Sequence, residues 1–175
     1  MGVEQNKPIC TPGVQNLALA EATARSQVAT SWQPAAVAVA STSAKFCTPG
    51  VHIGLFCSTP MVALSRNLTR KHALEMLFTG DMISAEDAHR VGLVSRVVEA
   101  GRARDEALKL ARKIAAKSTV VVKLGKEAFY RQLEMGIADA YDHATEVMVK
   151  NMMARDANEG ISAFVEKRQP TWEDR

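Results

Sequence analysis

The run from Phe46 to Val98 constrains the fold of this chain more than any other part of its sequence. Short apolar stretches in it alternate with segments bounded by Ser, Thr, Pro and Gly, the residues that begin and end short elements. The order predicts a short strand, a glycine-containing loop, two short helices, a turn, a third helix and a final strand. In the loop, Val51, Ile53 and Leu55 occupy alternate positions, which predicts a brief strand or an extended segment.

Residues that cap helices mark the boundaries within this run. Thr69 precedes an amphipathic stretch and can cap its helix, and Gly80 supplies a left-handed stop at the end of that helix. Ser84 is followed by Asp87, a spacing that resembles a capping box with Asp in place of the usual Glu. After the short helix that this box begins, the sequence predicts a strand over Leu93–Val98.

The sequence divides into three regions around this run. Residues 1–35 form an atypical N-terminal segment with few charges, in which Leu17–Val28 has the spacing of a short helix. Residues 36–100 begin with a predicted strand at Ala36–Ala40 and contain the run itself. Residues 101–175 are predicted to be almost wholly helical. The helices there are predicted at Asp105–Ala116, from Ser118 to Tyr130, at Ile137–Ala154 and at Asn158–Arg168.

Composition and charge argue against several classes of function. The net charge is +3 with basic and acidic side chains interleaved, so neither a nucleic acid nor a membrane surface is expected as a partner. The basic stretch Arg102–Lys117 lacks the aromatic side chains on which RNA bases stack. Three cysteines without a Cys-x-x-Cys pair predict no metal site and indicate reduced thiols. The sequence therefore predicts a cytoplasmic protein of one domain, with the mitochondrial matrix as the alternative.

Three separated stretches resemble one protein superfamily. They are TPGVHIGLFCSTP, MLFTGDMISAEDAHRVGLVSRVV and the ending GISAFVEKRQPTW. In this order they resemble the enoyl-CoA hydratase/isomerase (crotonase) superfamily, and within it a single subgroup. The resemblance spans Ala36–Trp172 and implies an α/β fold, in which the end of a crotonase (ClpP-like) spiral of short strands and helices precedes a helical C-terminal trimerisation region. The earlier spiral turns of the family have no counterpart here, which implies an N-terminal truncation or alteration.

The resemblance also implies a function. Members of this superfamily bind acyl-CoA thioesters and stabilise an enolate with two backbone N–H groups. The chain is therefore expected to bind fatty acyl-CoA and to hydrate trans-2-enoyl-CoA, as a homotrimer or a dimer of trimers. No metal or redox cofactor is implied, because the coenzyme A thioester is itself the substrate. A non-catalytic acyl-CoA-binding or oligomerisation module is the alternative.

The positions that match the catalytic groups of the family carry altered residues. The two carboxylates fall near Thr30 and at Gly50, and neither position holds an acid. The segment 24–41, which resembles one oxyanion-hole region, contains no glycine, and this disfavours a close backbone approach to a thioester oxygen. Hydration needs a base to activate water and an acid to protonate the α-carbon. No catalytic residue is therefore predicted, and the non-catalytic alternative stays open.

One group of candidate binding residues lies in the loop. The resemblance implies that Pro49, Gly50 and Val51 lie near the acyl thioester, whereas Pro-Gly by itself predicts only a turn. It also implies an acyl-pocket wall that consists of Leu55, Phe56 and Ser58. Considered without the family, the two apolar residues belong to a core, and the serine caps a helix that begins at Pro60. For His52 the favoured interpretation is a solvated or hydrogen-bonded imidazole, and for Cys57 it is an inert thiol.

The second group of candidates is at the C-terminal end. Phe164 and Lys167 are three positions apart, so they share a face of the predicted helix. By resemblance, the aromatic ring and the lysine contact the adenosine-phosphate part of CoA bound by a neighbouring subunit. Without the family, Glu166–Arg168 is a solvated terminal run of charges.

Overall fold

Five short strands and seven α-helices make up the described part of the chain, which is residues 17–20 and 36–174 of this computed structural model. The chain falls into two compact units, the first ending at Ala111 and the second beginning at Arg112. These units are defined by packing, and the division into three regions based on the sequence motifs stays a prediction.

The first unit contains a three-stranded parallel sheet in the order β1-β2-β5. These strands are β1 at Leu17–Ala20, β2 at Val37–Ser41 and β5 at Arg96–Val98. Leu17 lies opposite Val37 in the first pair, and Val39 lies opposite Arg96 in the second. The central strand is buried along most of its length, as expected for a parallel strand with a neighbour on each side.

Two sequence predictions about this sheet are corrected by the structure. Leu17–Ala20 is a strand rather than the start of a helix, because its backbone pairs with β2 along its whole length, and such pairing outweighs a weak helical spacing. The remainder of that predicted helix, 21–28, lies outside the described residues. Only the end of Leu93–Val98 is a strand, because the first two N–H groups of this stretch donate to the Ala88 carbonyl over 2.8 and 3.2 Å and close the preceding helix.

Short helices and a second pair of strands lie between β2 and β5. In chain order they are β3 (Lys45–Phe46), a 3₁₀ helix (Pro49–Ile53), α1 (Ser58–Asn67), α2 (Arg70–Thr79), β4 (Ile83–Ser84) and α3 (Ala85–Arg90). β3 and β4 pair antiparallel, with Phe46 opposite Ile83. Burial of aliphatic side chains stabilises this arrangement. The buried core consists of Ala40, Ala44, Phe46, Leu64, Leu68, Ala73, Met76, Leu77, Ala85, Ala88 and Val94.

The predicted helix caps of this unit are confirmed. Thr69 precedes α2 and its hydroxyl accepts the N–H of His72, and Gly80 ends the helix in the left-handed conformation with φ of 70°. The Ser84 hydroxyl accepts the N–H of Asp87 over 3.0 Å and donates to the carboxylate of the same residue over 2.9 Å. These bonds satisfy amide groups that a helix start leaves without an intrahelical partner.

Helices dominate the rest of the chain, as predicted. They are α4 at Ala103–Ala115, α5 at Thr119–Gln132, α6 at Ile137–Met152 and α7 at Arg155–Val165. Ala103 and Ala107 of α4 pack against Val39 of the sheet, whereas Ala115 is exposed at the last position of the helix. Among the described helices, none combines the length and apolar character needed to cross a lipid bilayer.

A buried aspartate holds the C-terminal tail of the second unit. Asp156 is 1% exposed, and its carboxylate accepts the N–H groups of Glu173 and Asp174 over 2.8 and 3.1 Å. Hydrogen bonding from the Ser118 hydroxyl, together with those two amides, lowers the pKa of Asp156 below its ordinary value. The tail is therefore tied to the start of α7 by a charged acceptor.

The indole of Trp172 adds a second attachment for the tail. Its Nε1–H donates to the Ala116 carbonyl over 3.0 Å. The ring also lies against Gly160, where an added Cβ atom would be 3.4 Å from the nearest ring carbon. The absence of a side chain at that position in α7 leaves room for the ring.

Candidate functional site

The candidate loop forms a 3₁₀ helix at Pro49–Ile53, so the prediction of a strand or extended segment there is wrong. Gly54 ends the helix in the left-handed conformation with φ of 77°, which is accessible to glycine at little cost. The N–H of Leu55 then donates to the Gly50 carbonyl over 2.9 Å. This local turn explains the error, because alternate apolar positions share a face only in an extended chain.

Two hydrogen bonds hold this loop against α2. The Thr48 hydroxyl is buried and donates to the Met76 carbonyl over 2.7 Å. The Nε2 atom of His52 lies 3.3 Å from the Gly80 carbonyl oxygen, which is consistent with the predicted hydrogen-bonded imidazole. An added Cβ at Gly80 would be 2.7 Å from that nitrogen, so glycine at this position serves both the helix stop and the contact.

Gly50 has no space for a side chain. An added Cβ atom would lie 2.7 Å from both the Cys57 Sγ atom and the Leu55 carbonyl oxygen. The N–H of Gly50 also donates to the Cys57 sulfur over 3.3 Å. The position that matches one family carboxylate is therefore occupied by a backbone turn packed against a thiol. A carboxylate here requires a different loop conformation.

The cysteines of this region show no sign of an activated nucleophile. Burial raises the pKa of the Cys47 thiol above its ordinary value, and the nearby Cys57 contributes in the same direction. Cys57 packs against the apolar core and accepts the Gly50 amide through its sulfur. Both features suit small structural thiols.

Ser58 does not cap the helix that follows the loop, so this alternative is wrong. α1 begins at Ser58 itself, after Cys57, and the Cys57 carbonyl accepts the N–H of Met61 over 3.0 Å. Pro60 is therefore inside the first turn, where the missing N–H has no intrahelical partner to lose. The Ser58 side chain is exposed, and its place in an acyl-pocket wall stays a prediction.

An exposed apolar surface continues from the loop. Leu55 is 63% exposed and Phe56 is 45% exposed, so the interpretation of these residues as core is wrong. The Phe56 ring lies 6.1 Å from the ring of Phe78 on α2, a separation typical of interacting aromatic pairs. Phe78 was missed by the sequence reasoning, because nothing in the spacing of α2 indicates which loop residue its exposed ring meets.

The second candidate pair lies at the end of α7. The helix ends at Val165 rather than at Arg168, so Lys167 follows the helix and does not share a helical face with Phe164. Lys167 has φ of 55°, in the left-handed region. Its N–H donates to the Phe164 carbonyl over 3.3 Å, and the N–H of Arg168 donates to the Ala163 carbonyl over 3.0 Å. This is a Schellman motif with lysine at the position that glycine usually occupies.

An arginine beside Lys167 binds two carboxylates. The Arg168 guanidinium donates to both oxygens of Glu159 over 2.6 and 2.9 Å and to Glu166 over 2.5 Å. The bond from Arg168, helped by the N–H of Thr171, lowers the pKa of Glu159 from 4.5 to about 2. Among the residues that the structure describes, no carboxylate forms an ion pair with the Lys167 ammonium.

The structure thus gives two separate groups of candidates. The loop residues are brought together in the first unit, and the pair Phe164 and Lys167 belongs to the second unit. The position of the other family carboxylate, near Thr30, lies outside the described residues. Within those residues no cluster of His, Cys, Asp and Glu side chains is suited to a metal ion.

Comparison with known proteins identifies the family. Residues 34–175 match the sequence profile of the family described as enoyl-CoA hydratase/isomerase. The chain belongs to the enoyl-CoA hydratase/isomerase family. The resemblance predicted from the loop, the central motif and the C-terminal ending is therefore confirmed, as is the partial crotonase fold with a helical C-terminal region.

Individual members of the enoyl-CoA hydratase/isomerase family show the same relationship. Enoyl-CoA hydratase domain-containing protein 3, mitochondrial, of Rattus norvegicus is 53% identical over 136 residues, which are 78% of this chain and 45% of the relative. This is the subgroup that the three motifs predict. The chain spans about half the length of the curated relatives it matches.

Solved structures of the family superpose on most of this chain. The crystal structure of an enoyl-CoA hydratase of Mycobacterium smegmatis is 51% identical, with a TM-score of 0.77, and the match covers 79% of this chain and 54% of that one. The human enoyl coenzyme A hydratase domain-containing protein 3 is also 51% identical, with a TM-score of 0.76 and coverage of 79% and 55%.

Proposed function

We propose that this chain binds fatty acyl-CoA thioesters, with the nucleotide of coenzyme A at the end of α7. The observation that carries the proposal is the turn at Lys167, which exposes an ammonium that has no carboxylate partner within the part of the chain that the structure describes. Lysine binds phosphate as a flexible point charge. Phe164, which is 83% exposed, supplies a ring face for an adenine base within the same turn.

The acyl thioester is assigned to the loop of the first unit. Pro49, Gly50 and Val51 lie in the 3₁₀ helix of this loop, and bonds from the flanking Thr48 and His52 hold the loop against the end of α2. Leu55 and Phe56 expose apolar surface beside it, and Phe78 extends that surface. A contiguous apolar patch on a protein surface marks a binding site, and a fatty acyl chain has the matching chemistry.

Self-association completes the proposal. One side of α6 is buried within the chain, and a neighbouring side is apolar but exposed. The exposed stripe consists of Ile137, Tyr141, Met148 and Met152. Following the family, we assign this stripe to a homotrimer or a dimer of trimers, in which Phe164 and Lys167 contact CoA bound by a neighbouring copy.

Two activities fit this binding site. Membership of the enoyl-CoA hydratase/isomerase family supports hydration of trans-2-enoyl-CoA. The packing of Gly50 against Cys57 supports binding without hydration, because it leaves no room for an acid where the reaction needs one. The packing at Gly50 favours binding of the thioester without hydration. No metal or redox cofactor enters either proposal.

The location of the protein follows from its relatives. The names of the rat and human relatives place those proteins in mitochondria. We therefore favour the mitochondrial matrix for this chain, and the cytoplasmic prediction has no support.

Two measurements on the purified chain test these proposals. The first is hydration of a short trans-2-enoyl-CoA, followed by loss of the conjugated thioester absorbance. The second is the affinity for octanoyl-CoA, measured by titration calorimetry. Binding without turnover above background supports the non-catalytic function, and turnover supports the hydratase. Absence of binding contradicts both.

The Lys167→Ala variant tests the nucleotide contact. Its affinity for octanoyl-CoA is expected to fall about fivefold to tenfold, because one charged phosphate contact is worth about 1 kcal/mol or slightly more. Lys150→Ala on α6 is the matched control, since it removes an exposed lysine outside the proposed site. An unchanged affinity of the Lys167 variant refutes the nucleotide assignment.

A further inference from the structure

The turn that carries Lys167 needs support from its surroundings. A lysine avoids the left-handed conformation that glycine adopts freely, yet Lys167 has φ of 55° at the position where a Schellman motif favours glycine. The backbone bonds to Phe164 and Ala163 are those of the general motif, whose left-handed position is usually a glycine. Side-chain contacts around the turn are therefore the candidates for offsetting the cost of a lysine there.

We propose that Glu159 and Arg168 are positioning residues that hold Lys167 in place for the phosphates of coenzyme A. The proposal rests on the proposed function and adds two residues to it. Neither side chain is assigned a contact with the ligand. Their effect on binding passes through the conformation and the charge environment of Lys167.

The geometry of these side chains fixes both neighbours of Lys167. The Nε atom of Arg168 donates to Glu166 over 2.5 Å, so the residues immediately before and after Lys167 are joined to each other. The two terminal nitrogens of Arg168 bind Glu159 on the preceding helix over 2.6 and 2.9 Å. A bidentate guanidinium–carboxylate pair sets orientation as well as distance. The turn is thereby tied to the body of α7.

Glu159 also fixes the chain beyond the turn. Its Oε1 atom accepts the N–H of Thr171 over 2.7 Å, in addition to the bond from Arg168. One carboxylate therefore holds both the arginine that follows Lys167 and the start of the C-terminal tail. Loss of this carboxylate removes hydrogen bonds both from the residue after Lys167 and from the start of the tail.

The same contacts control the charge beside the proposed phosphate position. Glu159 and Glu166 both bind Arg168, whose single positive charge offsets one of their two negative charges. Arg168 is therefore occupied by these carboxylates. Among the described residues neither carboxylate is paired with Lys167, whose ammonium stays free to meet a phosphate.

A double-mutant cycle tests the proposal with the full chain. The affinities of the wild type, Glu159→Gln, Lys167→Ala and the double variant are measured for octanoyl-CoA and for octanoyl-pantetheine, a thioester without the nucleotide. Glu159→Gln is expected to weaken octanoyl-CoA binding about threefold to tenfold and to leave octanoyl-pantetheine unchanged. In the Lys167→Ala background, the same substitution is expected to have no further effect.

Two further variants separate positioning from general stability. Arg168→Lys keeps the charge but not the bidentate geometry, so it is expected to weaken octanoyl-CoA binding as Glu159→Gln does. Glu146→Gln on α6 is the control and is expected to behave as the wild type. Hydrogen exchange of the Arg168 amide, which donates to Ala163, should accelerate in Glu159→Gln and not in the control.

The outcomes distinguish the positioning role of Glu159 and Arg168 from the proposed contact of Lys167 with the nucleotide. Equal affinity of the wild type for both thioesters overturns the nucleotide assignment and the positioning role with it. An effect of Lys167→Ala without an effect of Glu159→Gln overturns the positioning role alone. If Glu159→Gln lowers the affinity equally for both thioesters, Glu159 has a general structural role and the positioning role is overturned. The same conclusion follows if Glu159→Gln still lowers the affinity in the Lys167→Ala background.

Discussion

The sulfur of Cys57 and the carbonyl of Leu55 fill the volume that a side chain at position 50 would need. An acid at position 50 is therefore excluded by the packing of its neighbours as well as by the identity of the residue. The surrounding loop packs closely because residue 50 has no side chain, and the N–H of Gly50 donates to the Cys57 sulfur. Restoring a carboxylate at this position requires the loop and Cys57 to change together.

Gly50→Ala is expected to destabilise the chain by about 1–3 kcal/mol, the cost of inserting a methyl group where no space exists. The free energy of unfolding, measured by urea denaturation, checks this value. Gly125→Ala is the matched control. An added Cβ at Gly125 in α5 meets no atom within 4 Å, and alanine is expected to gain up to about 1 kcal/mol in the interior of a helix. Equal effects at the two glycines contradict this account of Gly50.

At the scale of elements, the sequence predicts best the helix ends that depend on contacts within one turn of the chain. Thr69, Gly80 and Ser84 were placed correctly, because each cap depends on residues a few positions away. The end of α7 was misplaced by three residues, since Lys and Arg favour helix and no glycine marks the stop. At that stop Arg168 contacts Glu159, a contact that no local pattern indicates.

The loop shows the same limit for the candidate site. Its residues were identified through the family motif, but the conformation at Pro49–Ile53 and the exposure of Phe56 were not predicted. Both depend on contacts with α2, through His52 at Gly80 and through Phe78. A pattern of alternating apolar residues contains no information about those partners.

The ion pairs at the end of α7 make the stability of this element dependent on pH. Arg168 lowers the pKa of Glu159 from 4.5 to about 2, so its stabilising contribution is complete above the ordinary pKa and is lost as the pH falls toward 2. Between pH 5 and pH 2, the free energy of unfolding of the wild type should therefore fall more steeply than that of Glu159→Gln.

Chemical denaturation at a series of pH values measures this difference. Glu146→Gln is the control, because it removes an exposed carboxylate that has no ion pair among the described residues. The control is expected to follow the wild type through the acid range. Parallel pH profiles of wild type and Glu159→Gln argue against a stabilising role for this carboxylate.

For the molecule as a whole, α6 presents an exposed apolar stripe that fits the proposed self-association. Ala140, His143 and Val147 face the other helices of the unit, while Tyr141 and Met148 are 70% and 58% exposed on the neighbouring side. A helix in a single chain normally has a polar face in that place. The proposed contact between copies would cover this apolar stripe.

Met148→Arg is expected to convert an assembly of this chain into monomers, because a charge would be buried without a partner in the contact between copies. Sedimentation velocity over a range of concentrations measures the effect. Glu146→Arg is the control, since it places the same side chain on the polar side of α6. A wild type that sediments as a monomer at all concentrations contradicts the assignment of the stripe.

The attachment of Trp172 to Ala116 and Gly160 gives the protein a built-in optical reporter. The sequence contains two tryptophans, and replacing Trp32 with phenylalanine leaves the emission of the tail indole alone. Release of the last residues from α7 would move that fluorophore into water and shift its spectrum to longer wavelength. Detachment of the tail can then be followed in real time without any added label.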